Sequence, residues 1–170
     1  MKRRSLLELS GTATLVGTAG CTQLTFGSSK YRLWFLRVHN GTPAEQSIDI
    51  RVRYDGTVVY EQRFEEIPSF RETEHEKAAF AAMESARLIE NEWNPELGTY
   101  SIEYRLNDRN DYEKIEVADI EEFDAENVGV NVQLLGGSLS ETSVGFRVLG
   151  YESKEQATQF LTTVTNQTEG

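Results

Sequence analysis

The sequence predicts a mainly β protein, an antiparallel β-sandwich of about seven strands with one or two short helices. Three observations carry that expectation. Segments of period-two alternation recur along residues 31–150, the polar turns between them are short, and helical spacing is confined to two stretches. Hairpin-linked strands of this kind pack as two antiparallel layers around one core.

The elements follow in order. Tyr31 to Val38 (Tyr-Arg-Leu-Trp-Phe-Leu-Arg-Val) is dense in β-formers, and His39-Asn40-Gly41-Thr42-Pro43 closes it as a turn. From Ser47 to Tyr54, Ile48, Ile50, Val52 and Tyr54 face one way and Asp49, Arg51 and Arg53 the other. Asp55-Gly56 then separates this run from another over Thr57 to Phe64, which is the strongest short-range signal of a hairpin. Glu65 to Glu76 reads as an acidic loop containing Pro68. Thr73 and Glu76 fit a capping box, and Ala79, Met83, Ala86 and Ile89 recur at helical spacing. The expectation is an inserted helix near residues 74–91, with a strand over Ala86 to Trp93 as the alternative for its far end. Asn94-Pro95 ends the element.

Tyr100, Ile102, Tyr104 and Leu106 alternate with Ser101, Glu103 and Arg105, and Tyr112 to Ala118 returns as the partner strand. After the acidic connection Asp119 to Glu126 come Val128, Val130, Val132 and Leu134. Gly136-Gly137-Ser138 turns the chain into Val144, Phe146 and Val148. Ala157, Phe160, Leu161 and Val164 suggest a C-terminal helix within residues 151–170. The pattern is that of an immunoglobulin-like sandwich over residues 31–150, with the inserted helix.

The N-terminus has a different logic. Met-Lys-Arg-Arg-Ser-Leu-Leu gives a positive start, a modest apolar run spans Gly11 to Gly20, and Thr18-Ala19-Gly20 precedes Cys21. Arg3 and Arg4, one free position and two leucines resemble a twin-arginine export signal. Thr18-Ala19-Gly20-Cys21 is similar to a lipobox, which implies cleavage after residue 20 and a lipid on the Cys21 sulfur. Residues 1–20 are thus read as the signal peptide and residues 21–30 as the lipidated cysteine and polar tether. That tether spans at most about 30 Å when extended.

Charge fits the same picture. The chain has 170 residues, 28 acids against 17 cations, and a net charge of −11. Loss of residues 1–20 removes Lys2, Arg3 and Arg4 against Glu8, which leaves a net charge of −13. Together, the acid excess, the scarcity of lysine and the export signal resemble the small surface lipoproteins of halophilic archaea. The resemblance implies placement at the cell membrane, lipid-anchored on its extracytoplasmic face.

Composition also excludes classes of function. The acidic balance argues against a nucleic-acid partner, which needs a basic face. One cysteine removes internal disulfides and cysteine-rich metal sites. His39 and His75 read as solvated loop residues, and no Gly-x-Ser-x-Gly elbow is present. No catalytic residue, metal ligand or cofactor is therefore expected. Asn40-Gly41-Thr42 and Asn166-Gln167-Thr168 are sequons, so Asn40 and Asn166 are candidate N-glycosylation sites. The aromatic residues, Trp34 and Trp93 among them, suit a core, though a carbohydrate- or peptide-binding stripe would share their composition. The expected function is that of a binding or structural module with a protein or glycan partner. The alternative is an accessory subunit of a surface enzyme or transporter complex.

Overall fold

A computed structural model describes residues 30–70, 85–107, 109–137 and 141–166, with side chains as far as Phe160. The signal segment with Arg3 and Arg4, Cys21, most of the tether, His75, Met83 and most of the expected inserted helix lie outside the described residues. Eight strands form two four-stranded sheets. They are β1 (Arg32–Asn40), β2 (Gln46–Tyr54), β3 (Thr57–Ile67), β4 (Ala86–Glu90), β5 (Tyr100–Leu106), β6 (Glu113–Glu116), β7 (Asn127–Leu135) and β8 (Ser143–Tyr151). A helix, α1, spans Lys154–Asn166. One sheet has the order β4-β1-β7-β8 and the other β3-β2-β5-β6.

The alternating runs become the strands, and their apolar faces become the core. Ile48, Ile50 and Val52 of β2 are fully buried, as are Val128, Val130, Val132 and Leu134 of β7. Tyr100, Ile102, Tyr104 and Leu106 of β5 complete the same cluster. Asp55 and Gly56 both take positive φ, at 44° and 83°, the type I′ geometry whose twist matches the flanking strands.

The structure corrects the expectation in three places. The described residues form eight strands, not seven. The additional one is β4, so residues 86–90 are strand, in line with the alternative for the far end of the expected helix. Its inward residue, Ile89, is 2% exposed and pairs with Leu36 of β1. Helical spacing misleads here because a five-residue strand places only one side chain in the core, too few for a period to show. Second, the sandwich is not wholly antiparallel, since β1 runs parallel to β7. Parallel neighbours need a long crossover, and most of the domain lies between these two strands. Third, His39 belongs to β1 and not to a loop.

On the outside of the first sheet, α1 covers the end where Phe35 crosses Gly129. A β-carbon at residue 129 would sit 2.1 Å from Phe35 Cζ, so only glycine admits the ring. Phe35 in turn stacks on Phe160 of α1, with centroids 5.5 Å apart and planes 21° apart. Ala157 of α1 is fully buried. Among the described residues, no helix is long and apolar enough to cross a membrane.

Candidate functional site

The alternation of β1 breaks at Leu33-Trp34-Phe35-Leu36. Leu33 pairs with Val128 of β7 and Phe35 with the very next residue, Gly129, leaving Trp34 as the extra residue of a β-bulge. Leu33 and Leu36 thus enter the core, Phe35 goes beneath α1, and Trp34 is turned out at the sheet margin. The indole N–H of Trp34 donates to Asn127 Oδ1 at 3.0 Å.

Trp93 comes to the same place from the loop after β4. Its indole N–H donates to the Leu33 carbonyl at 2.8 Å, and its ring lies 5.8 Å from that of Tyr60. Burial, and then the charge of Glu92, push the Tyr60 hydroxyl pKa up to about 12, so it stays protonated. With both N–H groups engaged inside the protein, neither indole keeps a polar hydrogen for a ligand. These are the only two tryptophans in the chain.

Around them lies an open, shallow cleft of about 640 Å³. That volume falls within the range of small-molecule sites. Arg32, Glu126 and Lys154 contribute charge, while Asn91, Asn94 and Asn127 contribute amides. Arg32 and Glu126 form an ion pair across the cleft margin. The Lys154 ammonium rests 5.3 Å from the centre of the Trp34 ring, an exposed cation–π contact worth about 0.5–1 kcal/mol and readily displaced. Asn91 adopts a left-handed φ of 59°, which turns the chain sharply after β4 and brings Trp93 back towards β1. Asn94 Nδ2 donates to Glu96. Among the described residues no hydrogen bond engages the Asn91 amide, Asn94 Oδ1 or Asn127 Nδ2.

A second cluster covers the outer face of the other sheet. Asp49, only 6% exposed, accepts from Arg63 Nη1 at 3.2 Å and from Arg105 Nε at 3.1 Å. Arg51 pairs with Glu61 at 2.7 Å and Arg53 with Glu103 at 2.6 Å. Tyr112 lies under two guanidiniums, 3.9 Å from Arg51 and 4.8 Å from Arg105. Strand register sets Asp49 between Arg63 and Arg105 and Arg51 between Glu61 and Glu103, while Arg53 reaches Glu103 diagonally. Its charges are satisfied internally, which makes this ladder a stabilising face and leaves no cation spare for a ligand.

Asn40 is placed where a glycan cannot reach it in the folded domain. It is fully buried, and its Nδ2 donates to the carbonyls of Ala44 and Ile67, both at 2.9 Å, and of Pro68 at 3.2 Å. Its Oδ1 accepts from the Thr42 N–H and hydroxyl. The sequon residues Asn40 and Thr42 therefore act as a structural clasp for the β1–β2 connection. Asn166 is the last residue of α1.

His39 Nε2 and Asn131 Oδ1 are buried without a hydrogen-bond partner among the described residues. Burial first, and then the Arg37 charge, lower the His39 pKa below its ordinary value, so the ring is neutral near pH 7. Among the described residues, no group of three or more His, Cys, Asp or Glu side chains could hold a metal ion.

Comparison with protein-family models and with curated proteins gives no match to this chain. The cleft is the feature that the sequence reading did not isolate. Its signal was present in Leu33-Trp34-Phe35-Leu36, four apolar residues in a strand that can send only alternate ones to a single core. Such a run requires a bulge, a second buried face, or both.

Proposed function

We propose that this chain is a membrane-anchored extracytoplasmic lipoprotein and a non-catalytic binding module, held by a lipid on Cys21, with the Trp34–Trp93 cleft as its contact surface. The observation that carries the reading is the cleft itself. Two indoles are fixed by internal hydrogen bonds, and unengaged amides stand beside them. Aromatic faces with a few placed polar groups are the usual make-up of a recognition site. Support for the anchor comes from the order of Arg3, Arg4, the weak apolar run and the sole cysteine. A two-chain lipid on that one residue suffices for stable attachment.

The immunoglobulin-like reading belongs to the same proposal and rests on β1–β6. The β2–β3 and β5–β6 hairpins share a sheet through the antiparallel β2–β5 pair, as strands C, C′, F and G would. In the opposite sheet, β1 and β4 pair antiparallel, as B and E would. Tyr100, at the start of β5, donates its hydroxyl to the Glu96 carbonyl at 2.7 Å, the bond of a tyrosine corner. The β7–β8 hairpin is then an addition on the far side of β1.

Intact mass of the protein extracted from native membranes tests the anchor. The expected mass begins at Cys21 and includes a lipid. Cys21→Ser should release the protein or leave an uncleaved precursor, and Arg3→Lys with Arg4→Lys should hold folded precursor in the cytoplasm. A mass retaining Met1 with an unmodified Cys21 would overturn the reading.

A further inference from the structure

The geometry points to a saccharide as the ligand of the Trp34–Trp93 cleft, bound through the C–H face of a pyranose ring. This inference rests on the reading of the cleft as a contact surface and is independent of the lipid anchor. Each indole has its only polar hydrogen committed internally, to Asn127 Oδ1 and to the Leu33 carbonyl. What remains is a flat π-face with negative potential. A pyranose is the complementary shape, since its axial C–H bonds form an apolar, weakly positive face and its hydroxyls project around the rim.

The amides decide between ligand classes. Asn91 offers a donor and an acceptor, Asn94 an acceptor at Oδ1, and Asn127 a donor at Nδ2. A hydroxyl both donates and accepts, so one sugar ring can meet all of these. A proline-rich peptide also favours aromatic grooves, but its prolines bring carbonyls without N–H groups, so the exposed Asn91 and Asn94 oxygens would stay with water and add nothing to its binding. A lipid surface is a poorer match still. The indoles line a concave cleft and are half-buried, whereas interfacial tryptophans must project. Lys154 sits over Trp34 only through a weak exposed contact, so it can move aside and pair with a carboxylate on an acidic sugar.

Because Trp34 and Trp93 are the only tryptophans, the intrinsic indole fluorescence of the protein reports on the cleft alone. The experiment titrates the full-length protein, in detergent and molar KCl, with neutral and uronic-acid oligosaccharides. A saturable change in intensity and emission maximum is expected for at least one of these series. Trp34→Ala should weaken that binding by roughly tenfold or more, as loss of a central aromatic contact does. Asn91→Gly removes the amide, keeps both indoles and suits the left-handed φ of residue 91, so it should weaken binding even if Trp34→Ala fails to fold. A preference for uronic-acid sugars would be assigned to Lys154 and should vanish in Lys154→Gln. Silence with every saccharide, unchanged affinity in Asn91→Gly, or saturable binding of a proline-rich peptide or lipid vesicles instead would overturn the proposal. The two readings fail separately, because a silent titration leaves the intact-mass result untouched, and an unlipidated Cys21 leaves sugar binding untouched.

Discussion

Asn40 shows how one side chain can close a connection. Its amide gathers three carbonyls from two segments, at Ala44 and at Ile67-Pro68, while its oxygen takes both donors of Thr42. Asn40 is fully buried, so water cannot take the place of its amide at the buried Ile67 carbonyl, whereas the Ala44 carbonyl also accepts from the Thr42 hydroxyl. Asn40→Ala should therefore cost about 2–4 kcal/mol, because buried carbonyls lose their donor and a void remains. Asn40→Asp should cost at least as much, because a carboxylate oxygen would face three carbonyl oxygens where Nδ2 now donates. Chemical denaturation of each variant beside the parent checks both, and parental stability in Asn40→Asp would contradict the clasp. The same amide shows what a sequence motif leaves out. Asn-Gly-Thr reads as a surface sequon, and it also reads as a turn whose asparagine bonds its own backbone. Only the arrival of Ile67 and Pro68, 27 and 28 residues further on, decides between the two.

At the scale of elements, strands with strict alternation were legible because one buried face leaves a period-two trace. β2, β5 and β7 carry it plainly. β4 was legible only as an alternative, being five residues long with a single deeply buried side chain. β1 concealed its bulge because it is buried on both faces, one against the core and one beneath α1. The contact between those layers is a ring lying across a glycine, which gives a sharp prediction. Gly129→Ala places a β-carbon 2.1 Å from Phe35 Cζ, so the ring must leave its stack on Phe160. Overpacking of this kind costs about 1–3 kcal/mol. Residues in direct contact are not additive, so Phe35→Leu should offset part of the loss from Gly129→Ala. Thermal unfolding of the two single variants and the double variant closes the cycle. Strict additivity would mean that the ring and the glycine do not support one another.

Across the whole molecule, charge is divided unevenly between surfaces, and that division sets the response to salt. On the outer face of the β3-β2-β5-β6 sheet, five cations (Arg51, Arg53, Arg63, Arg105, Lys114) meet five carboxylates (Asp49, Glu61, Glu65, Glu103, Glu116). That face is neutral. The remaining described residues hold sixteen acids against seven cations, so the self-repulsion of a chain of charge −11 is concentrated away from the ladder. Two effects of added salt then oppose each other. Screening weakens the ladder, but partly exposed pairs contribute only about 0.2–1 kcal/mol each and the least exposed carboxylate, Asp49, is the least screened. Screening also relieves repulsion among the excess acids, which acts across the whole surface at about 10 Å range in 0.1 M salt and about 3 Å in 1 M. The second effect is the larger because the acids outside the ladder outnumber the cations there by nine and share the relief across the whole surface. The thermal midpoint, followed by circular dichroism in a KCl series from low to molar concentration, should therefore rise. Asp49→Ala should lower the midpoint at every concentration without changing the sign of the slope, since it disturbs the ladder and leaves the excess acids in place. A midpoint that stayed flat or fell in the parent protein would show that the excess acids do not destabilise the fold, and the resemblance to salt-adapted surface proteins would lose its physical basis.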